Sequence, residues 1–360
     1  MKENNKRYAL ILAGGKGSHL WPISTTNKPK QYLNLYSNNI MINETIKRIE
    51  SIFEYNNIFV ITNIDQKELA ERYIDNRIPR ENIIFEPMSK NTAMCIFYAS
   101  IRILEQRENG TITILSSDHY IDETEKLLNN IEEGIELANK EENLVTIGIK
   151  PTYPATGFGY IKYNYDDDLK CNIVKEFKEK PIYEKAREYI ESGKYYWNSG
   201  MFIWKITSIL KNYKEFLPEI YKYKEQIANS IRNGKDVLQN IYKYVESISI
   251  DKGILEKSNK IKMVKGEFNW LDIGSINDFF KIQEKDFNNN VKKGNLIAED
   301  IENCSIYNDD NSTVIAVVGV KDLNIINSNN VILISNKDKM GELPNLIEKI
   351  KCDKELKKYL

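Results

Sequence analysis

Tyr8-Ala9-Leu10-Ile11-Leu12-Ala13-Gly14-Gly15-Lys16-Gly17-Ser18-His19-Leu20-Trp21-Pro22, followed by Pro29-Lys30-Gln31, carries more information than any other part of this chain. An apolar run of strand length ends in a glycine-rich turn. Without Cβ atoms, the glycines let backbone N–H groups close around an anion, and Lys16 and Lys30 can add positive charge. A phosphate-rich ligand is the first expectation. The loop is not a Walker A motif, because Lys16 precedes Gly17 and the earlier glycine is missing. Nor is it the dinucleotide fingerprint, because Leu20 stands where the third glycine would be. Taken alone, three glycines after a strand also suit an ordinary turn.

On the C-terminal side of this loop, strand-like and helix-like patterns alternate. Ile58–Thr62, Thr111–Leu115 and Leu144–Ile149 read as strands. Between them, residues 91–105 place Ala93, Ile96, Phe97, Ile101 and Leu104 at near-helical spacing, and 123–139 is a second helical stretch. This rhythm predicts an α/β fold: a Rossmann-like, mostly parallel mixed sheet with helices on both faces. Ligands on such sheets sit beyond the carboxyl ends of the strands, so the glycine loop and Asp118 are expected on one edge. Residues 150–285 are richer in aromatics and include a helical stretch at Tyr183–Ser192. Past residue 288 come short β-like runs with polar turns, such as Thr313–Val320 and Asn330–Ile334, then a lysine-rich helical pattern over Leu343–Leu360. Two domains are expected: 1–287, and a small β-rich domain over 288–360 ending in a helix, with Asn288-Asn289-Asn290 as the link.

Composition narrows the class. The 360 residues suffice for one large and one small domain, with 41% hydrophobic and 29% charged residues, as in soluble globular proteins. With 51 basic and 52 acidic residues there is no general attraction for polyanions, so nucleic acid is not an expected partner and any phosphate affinity is local. No apolar run is long enough to span a membrane, and the polar start does not resemble a signal peptide, so a cytoplasmic location is expected. The four cysteines (Cys95, Cys171, Cys304, Cys352) form no CxxC pair and read as isolated thiols.

The chain has only two histidines, His19 and His119, and each lies in a candidate ligand loop. A structural role for His119 is the more common outcome for such a residue. Asp118 follows a strand, and Asp272 lies in Asn269-Trp270-Leu271-Asp272-Ile273-Gly274. Carboxylates in such places cap helices or hold a divalent cation whose shell is completed by phosphates and water.

The blocks together resemble the sugar-1-phosphate nucleotidyltransferase family, a GT-A-like fold, and Leu-Trp-Pro with Pro-Lys-Gln resembles its mannose-1-phosphate guanylyltransferase branch. Glu86-Pro87-Met88-Ser89-Lys90-Asn91-Thr92-Ala93 is similar to the base-binding segment, and Ser117-Asp118-His119-Tyr120-Ile121 to the metal-binding block. Gly148–Pro151, Thr156–Ile161, Phe177–Pro181, Trp197–Phe202, Ser249-Ile250-Asp251, Trp270–Gly274 and Ala316–Leu323 follow in family order, so the resemblance runs from about residue 7 to 340.

That resemblance implies roles. The nucleotide would be held by Leu12, Ala13, Gly14, Gly15, Lys16, Gly17, Ser18, Glu86, Pro87, Asn91, Thr92, Ala93 and Ser117. Asp118 and Asp272 would jointly hold Mg2+. The sugar phosphate would meet Gly157, Phe158, Gly159, Glu179, Lys180 and Asn198. Glycine backbone can approach a hydroxylated ring, Glu179 can accept from two hydroxyls, and Asn198 can both donate and accept. Lys180 would neutralise the sugar phosphate as a point charge. The implied reaction is transfer of GMP from GTP to mannose 1-phosphate, giving GDP-mannose for polysaccharide biosynthesis. An oxygen of the sugar phosphate attacks the α-phosphorus in line, pyrophosphate leaves, and Lys30, His19, Lys180, Asp118 and Asp272 carry the catalysis. The attacking oxygen is already anionic, so no general base is required. Lys30, Asp118, Lys180 and Asp272 are expected to gather around one cation.

One position departs from the family pattern: His19 replaces an arginine that contacts the triphosphate, exchanging a charged fork for one neutral donor. A working enzyme is still expected, with protonated His19 serving the phosphates. The alternatives are a nucleotidyltransferase for another sugar 1-phosphate, such as a heptose, and a weakly catalytic sugar-nucleotide regulator. An additional isomerase domain is not expected. A homodimer is expected if an apolar face of the C-terminal β region is exposed.

Overall fold

The apolar run before the glycine loop forms strand β1 (Lys6–Leu12), whose central residues are completely buried. The computed structural model describes residues 6–15, 18–234 and 237–360. Ten more strands follow up to residue 272: β2 (Ile58–Asn63), β3 (Ile83–Glu86), β4 (Gly110–Ser116), β5 (His119–Ile121), β6 (Leu144–Ile149), β7 (Tyr160–Asp166), β8 (Cys171–Lys178), β9 (Tyr195–Lys205), β10 (Ile261–Gly266) and β11 (Trp270–Asp272). Nine of these eleven strands make one sheet in the order β3-β2-β1-β4-β9-β6-β10-β8-β7, while β5 and β11 pair separately. The α/β expectation holds. The sheet is parallel from β3 to β4, and then β9 enters antiparallel between β4 and β6.

Continuous apolar sequence is what a strand covered on both faces requires. β2 and β6 are buried at every position. The helix Asn91–Gln106 lays Ala93, Ile96, Phe97 and Ile101 into the same core as Leu10, Phe59, Ile112 and Trp204. Register then sets the functional edge. Leu12 lies opposite both Ile61 and Ser116, and the Ser117 amide donates to the Leu12 carbonyl at 3.1 Å. The β1 and β4 strands therefore end level, and the chain leaves both on the same side.

Contacts divide the chain into two units: Met1–Gly14, Thr45–Ser117 and Ile121–Trp270 in the first, and Gly15–Glu44, Asp118–Tyr120 and Leu271–Leu360 in the second. The second unit contains β12 (Val291–Lys293), β13 (Leu296–Glu302), β14 (Ser305–Asn308), β15 (Ile315–Lys321), β16 (Leu323–Ser328) and β17 (Val331–Asn336). β12, β14 and β16 run parallel side by side, with β17 antiparallel at their edge, and β13 pairs in parallel with β15. The Leu20-Trp21 segment packs in this unit with Ile273, Phe279, Leu333 and Ile347, and the Trp21 indole donates to the Tyr359 carbonyl at 2.7 Å.

The Asn288–Asn290 stretch is a stitched turn rather than a slack link. Buried Asn290 donates to the Ile301 carbonyl and accepts from the Cys304 amide. The final helix is shorter than the lysine pattern suggested, spanning Leu343–Cys352. Asp353 then adopts extended angles (φ −97°, ψ 121°), and its carboxylate accepts the following Glu355 and Leu356 amides.

Gly110 opens β4 opposite Lys6. A Cβ there would stand 2.3 Å from the Lys6 carbonyl oxygen and 2.8 Å from the Tyr8 ring. Backbone cannot yield as a side-chain tip can, so Gly110→Ala is expected to destabilise the protein by ~2–3 kcal/mol, read as a lower urea midpoint at unchanged slope.

Candidate functional site: a lysine between two carboxylates

In the second unit, Asp118 occupies the turn between β4 and β5, and Asp272 ends β11. Pairing of β5 with β11 brings these two carboxylates together from positions far apart in sequence. Lys30 reaches them from a short 3-10 turn, Lys30–Tyr32, that follows Pro29. Its Nζ lies 3.0 Å from Asp118 Oδ2 and 3.1 Å from Asp272 Oδ1, and it donates to the Ile273 carbonyl at 2.5 Å. The lysine is buried, whereas the carboxylates are about one-third exposed at 33% and 39%.

Burial by itself would drive the proton off Lys30. The fields of Asp118 and Asp272 outweigh that effect and hold the ammonium above its ordinary range. Burial likewise pushes the Asp118 carboxyl up, but Lys30, and after it His119, reverse the sign and hold it below the usual carboxylate range. One ammonium between two carboxylates leaves a residual negative charge. Asp118, His119 and Asp272 place ligand atoms within 4.8 Å of one another, an arrangement that can hold a metal ion. Two hard carboxylate oxygens with open access suit a divalent cation that keeps part of its water shell.

The candidate nucleotide residues fall mostly in the first unit. The Ala13 amide donates to Ile61, and its carbonyl accepts from Thr62 Oγ1, so the start of the loop is pinned to β2. Lys16 and Gly17 lie outside the described residues, and of Ser18 only the backbone, at the head of the turn Ser18–Leu20, is described. In the second unit, Gly15 accepts from Gln31 Nε2 at 3.0 Å, and the His19 side chain is exposed. Glu86, at the end of β3, is buried. The Tyr242 hydroxyl donates to its Oε1 at 2.8 Å, and a Cβ at Gly14 would lie 3.8 Å from its Oε2. Burial raises the Glu86 carboxyl to about 7, against partial relief from hydrogen bonds to Tyr242 and Cys95. Pro87 follows Glu86. Asn91, with φ 63°, opens the helix Asn91–Gln106, where Thr92 Oγ1 accepts the Ile250 amide at 2.8 Å and the Ala93 amide donates to Ile248. Ser117 is buried, with its amide on Leu12.

The sugar candidates also come together in the first unit. The Asn198 backbone N–H donates to the Gly159 carbonyl at 2.8 Å, and a Cβ on Gly159 would meet Glu179 Oε2 at 3.0 Å, so the glycine leaves room for the Glu179 carboxylate beside Asn198. Gly157 is open: a Cβ added there would meet nothing within 4 Å. Phe158 joins Trp197 and Trp270 in an aromatic wall, with ring centroids 5.2 and 5.0 Å away. Lys180 sits 3.7 Å from Glu179 with its backbone at φ 40°, a left-handed turn that lysine rarely adopts. Of the four residues expected around one cation, Lys30, Asp118 and Asp272 meet in the second unit, and Lys180 belongs to the first.

Two residues carried no assigned role in the sequence reading. Asp251 accepts from Asn198 Nδ2 at 2.8 Å, and Tyr242 holds Glu86. The only signal for Asp251 was its place in the Ser249-Ile250-Asp251 block, and nothing local marked Tyr242, which lies 156 positions from its partner.

Residues 8–289 match the nucleotidyl transferase family, and residues 294–350 match a MannoseP isomerase/GMP-like beta-helix domain. A mannose-1-phosphate guanylyltransferase of Salmonella montevideo is 32% identical over 96% of this chain and 74% of its own length. One from Escherichia coli is 31% identical over 94% and 74%. Among solved structures, a "mannose-1-phosphate geranyltransferase" from Thermus thermophilus superposes with a TM-score of 0.87 at 27% identity, covering 96% of this chain and 99% of that one. A "mannose-6-phosphate isomerase" from Helicobacter pylori gives 0.60 at 30% identity, covering 74% and 100%. No helix among the described residues is long and apolar enough to cross a membrane. The chain belongs to the nucleotidyl transferase family, in its mannose-1-phosphate guanylyltransferase branch.

Proposed function

We propose that the protein transfers GMP from GTP to mannose 1-phosphate, forming GDP-mannose and pyrophosphate by in-line displacement at the α-phosphorus. The carrying observation is Lys30, held at 3.0 and 3.1 Å between Asp118 and Asp272. Such a cluster handles phosphoryl charge: the carboxylates accept a divalent cation, and the ammonium is then available to a phosphate oxygen. We assign the cation as Mg2+, which prefers one or two carboxylates plus water and phosphate, and which when bound neutralises charge on the triphosphate. The chain's own contribution is positioning and fixed positive charge. Lys30 stabilises charge developing at the reacting phosphate, Lys180 neutralises the sugar phosphate, and Leu12, Ala13, Gly14, Gly15 and Ser117 are assigned to the nucleotide. Asn91, Thr92 and Ala93 shape the base site. Gly157, Phe158, Gly159, Glu179 and Asn198 take the sugar ring. We assign the reaction to the 1–287 domain, with 288–360 as the β-rich domain, and place it in the cytoplasm, where the free thiols stay reduced.

Guanine is favoured by Glu86. Guanine offers N1–H and N2–H2 donors along one edge, and a carboxylate accepts both.

The substrate assignment is tested by pyrophosphate release with a panel of triphosphates and sugar 1-phosphates, in which GTP with mannose 1-phosphate must be the best pair. If that pair gives no pyrophosphate, the assignment falls. Lys30→Met should lower kcat by ~10²–10³, the size of effect seen when one preorganised transition-state donor is lost.

Glu86 makes the base site pH-dependent. Only the ionised carboxylate serves guanine fully, so KM for GTP should fall as pH rises through about 7, and Glu86→Gln should flatten that dependence. The ligand-free protein shows the opposite sign. Folded Glu86 keeps a proton that the unfolded chain releases at the ordinary carboxylate value, so stability declines between that value and about 7, and Glu86→Gln removes the decline.

His19 is assigned to the triphosphate as a donor. His19→Arg should match or exceed the wild-type rate, and His19→Ala should fall below it. Equal rates for wild type and His19→Ala would remove His19 from the site.

A further inference from the structure

Asn198 is unusually constrained for a residue assigned to a flexible ligand. Its Oδ1 accepts the Gly200 amide at 3.2 Å and Thr146 Oγ1 at 3.4 Å, while its Nδ2 donates to Asp251 Oδ1 at 2.8 Å. These partners fix the amide orientation. A flip would point the Asn198 oxygen at the Asp251 carboxylate and its nitrogen at the Gly200 N–H, so both contacts would become repulsive. An amide nitrogen carries two hydrogens, and among the described residues only Asp251 accepts from this one. The second hydrogen remains available to a ligand.

Asp251 is itself held in place. It opens a π-helical turn, Asp251–Leu255, and the preceding Ile250 amide is tied to Thr92 Oγ1 at 2.8 Å. Such turns are uncommon and recur at functional sites. Asp251 also lies within the electrostatic reach of Glu179; burial first, and then that neighbouring charge, raise its carboxyl to about 6. A fold that needed only packing here would gain by replacing one of two neighbouring, repelling carboxylates with a neutral residue. The ionisable group is explained if its strong acceptor is required.

We infer that Asp251 is a positioning residue of the sugar cradle: it captures one Asn198 N–H, so that the other is presented as a donor to an oxygen of the sugar ring. This rests on the proposed sugar-phosphate reading of the Gly159–Glu179–Asn198 cradle. The hydroxyl that Asn198 meets then acts as acceptor, while the hydroxyls facing Glu179 act as donors. The cradle thereby sorts ring hydroxyls by direction, the requirement for telling epimers apart.

The test is steady-state kinetics with each substrate varied in turn, supported by thermal melts and GTP binding to establish folding. D251A should raise KM for mannose 1-phosphate about tenfold, the worth of one well-oriented hydrogen bond, with KM for GTP changed by less than about twofold. D251N keeps an acceptor oxygen for Asn198 and should stay within about threefold of wild type. The exchange N198D with D251N restores a hydrogen bond between the two positions but turns the sugar-facing donor into an acceptor. It should recover the melting temperature lost in D251A and leave the sugar-phosphate KM high. Equal rises in both KM values, D251N as impaired as D251A, or recovery of the sugar-phosphate KM by the exchange would each overturn the assignment. If D251A does not fold, D251N and the exchange carry the comparison. Absence of pyrophosphate release by the wild-type enzyme overturns the substrate reading instead, so the two failures are distinguishable.

Discussion

One ammonium held between two carboxylates is the constraint around which the second unit is arranged. Burying Lys30 is costly, and the fields of Asp118 and Asp272 hold its charge there. The same contact keeps the carboxylates from repelling one another in the absence of a cation. It also leaves them net negative, so a divalent ion is attracted to an arrangement that is already built. Preorganisation of this kind is valuable in phosphoryl transfer, where the protein does little covalent chemistry and charge placement supplies most of the rate.

Two otherwise unrelated features support that contact. Pairing of β5 with β11 brings Asp272 to Asp118. Packing of Leu20 and Trp21 with Ile273 and Phe279 anchors the segment that leads to Lys30. Each is a long-range interaction, and each bears on where one lysine nitrogen sits.

In the first unit the controlling principle is acceptor and donor direction rather than net charge. Glu86 is steered by Tyr242, and Asn198 by Asp251, Gly200 and Thr146. Both side chains are thus oriented by a partner remote in sequence. The elevated values of Glu86 and Asp251 follow first from their burial.

Much of this was visible in the residues alone. The buried strands, the helix at 91–106 and the change to β structure near the C-terminus follow from apolar periodicity, because covered strands and amphipathic helices leave local signatures. The identity of the chemistry was also local: glycines, a lysine after proline, and aspartates at strand ends. What the residues could not convey was partnership. The antiparallel entry of β9 and the pairs Lys30–Asp272, Glu86–Tyr242 and Asn198–Asp251 all depend on groups far apart along the chain. Local sequence records the propensity of a segment and the reactivity of a side chain. Which oxygen faces which proton is settled only when the chain closes on itself, because a hydrogen bond is specified by distance and direction in space.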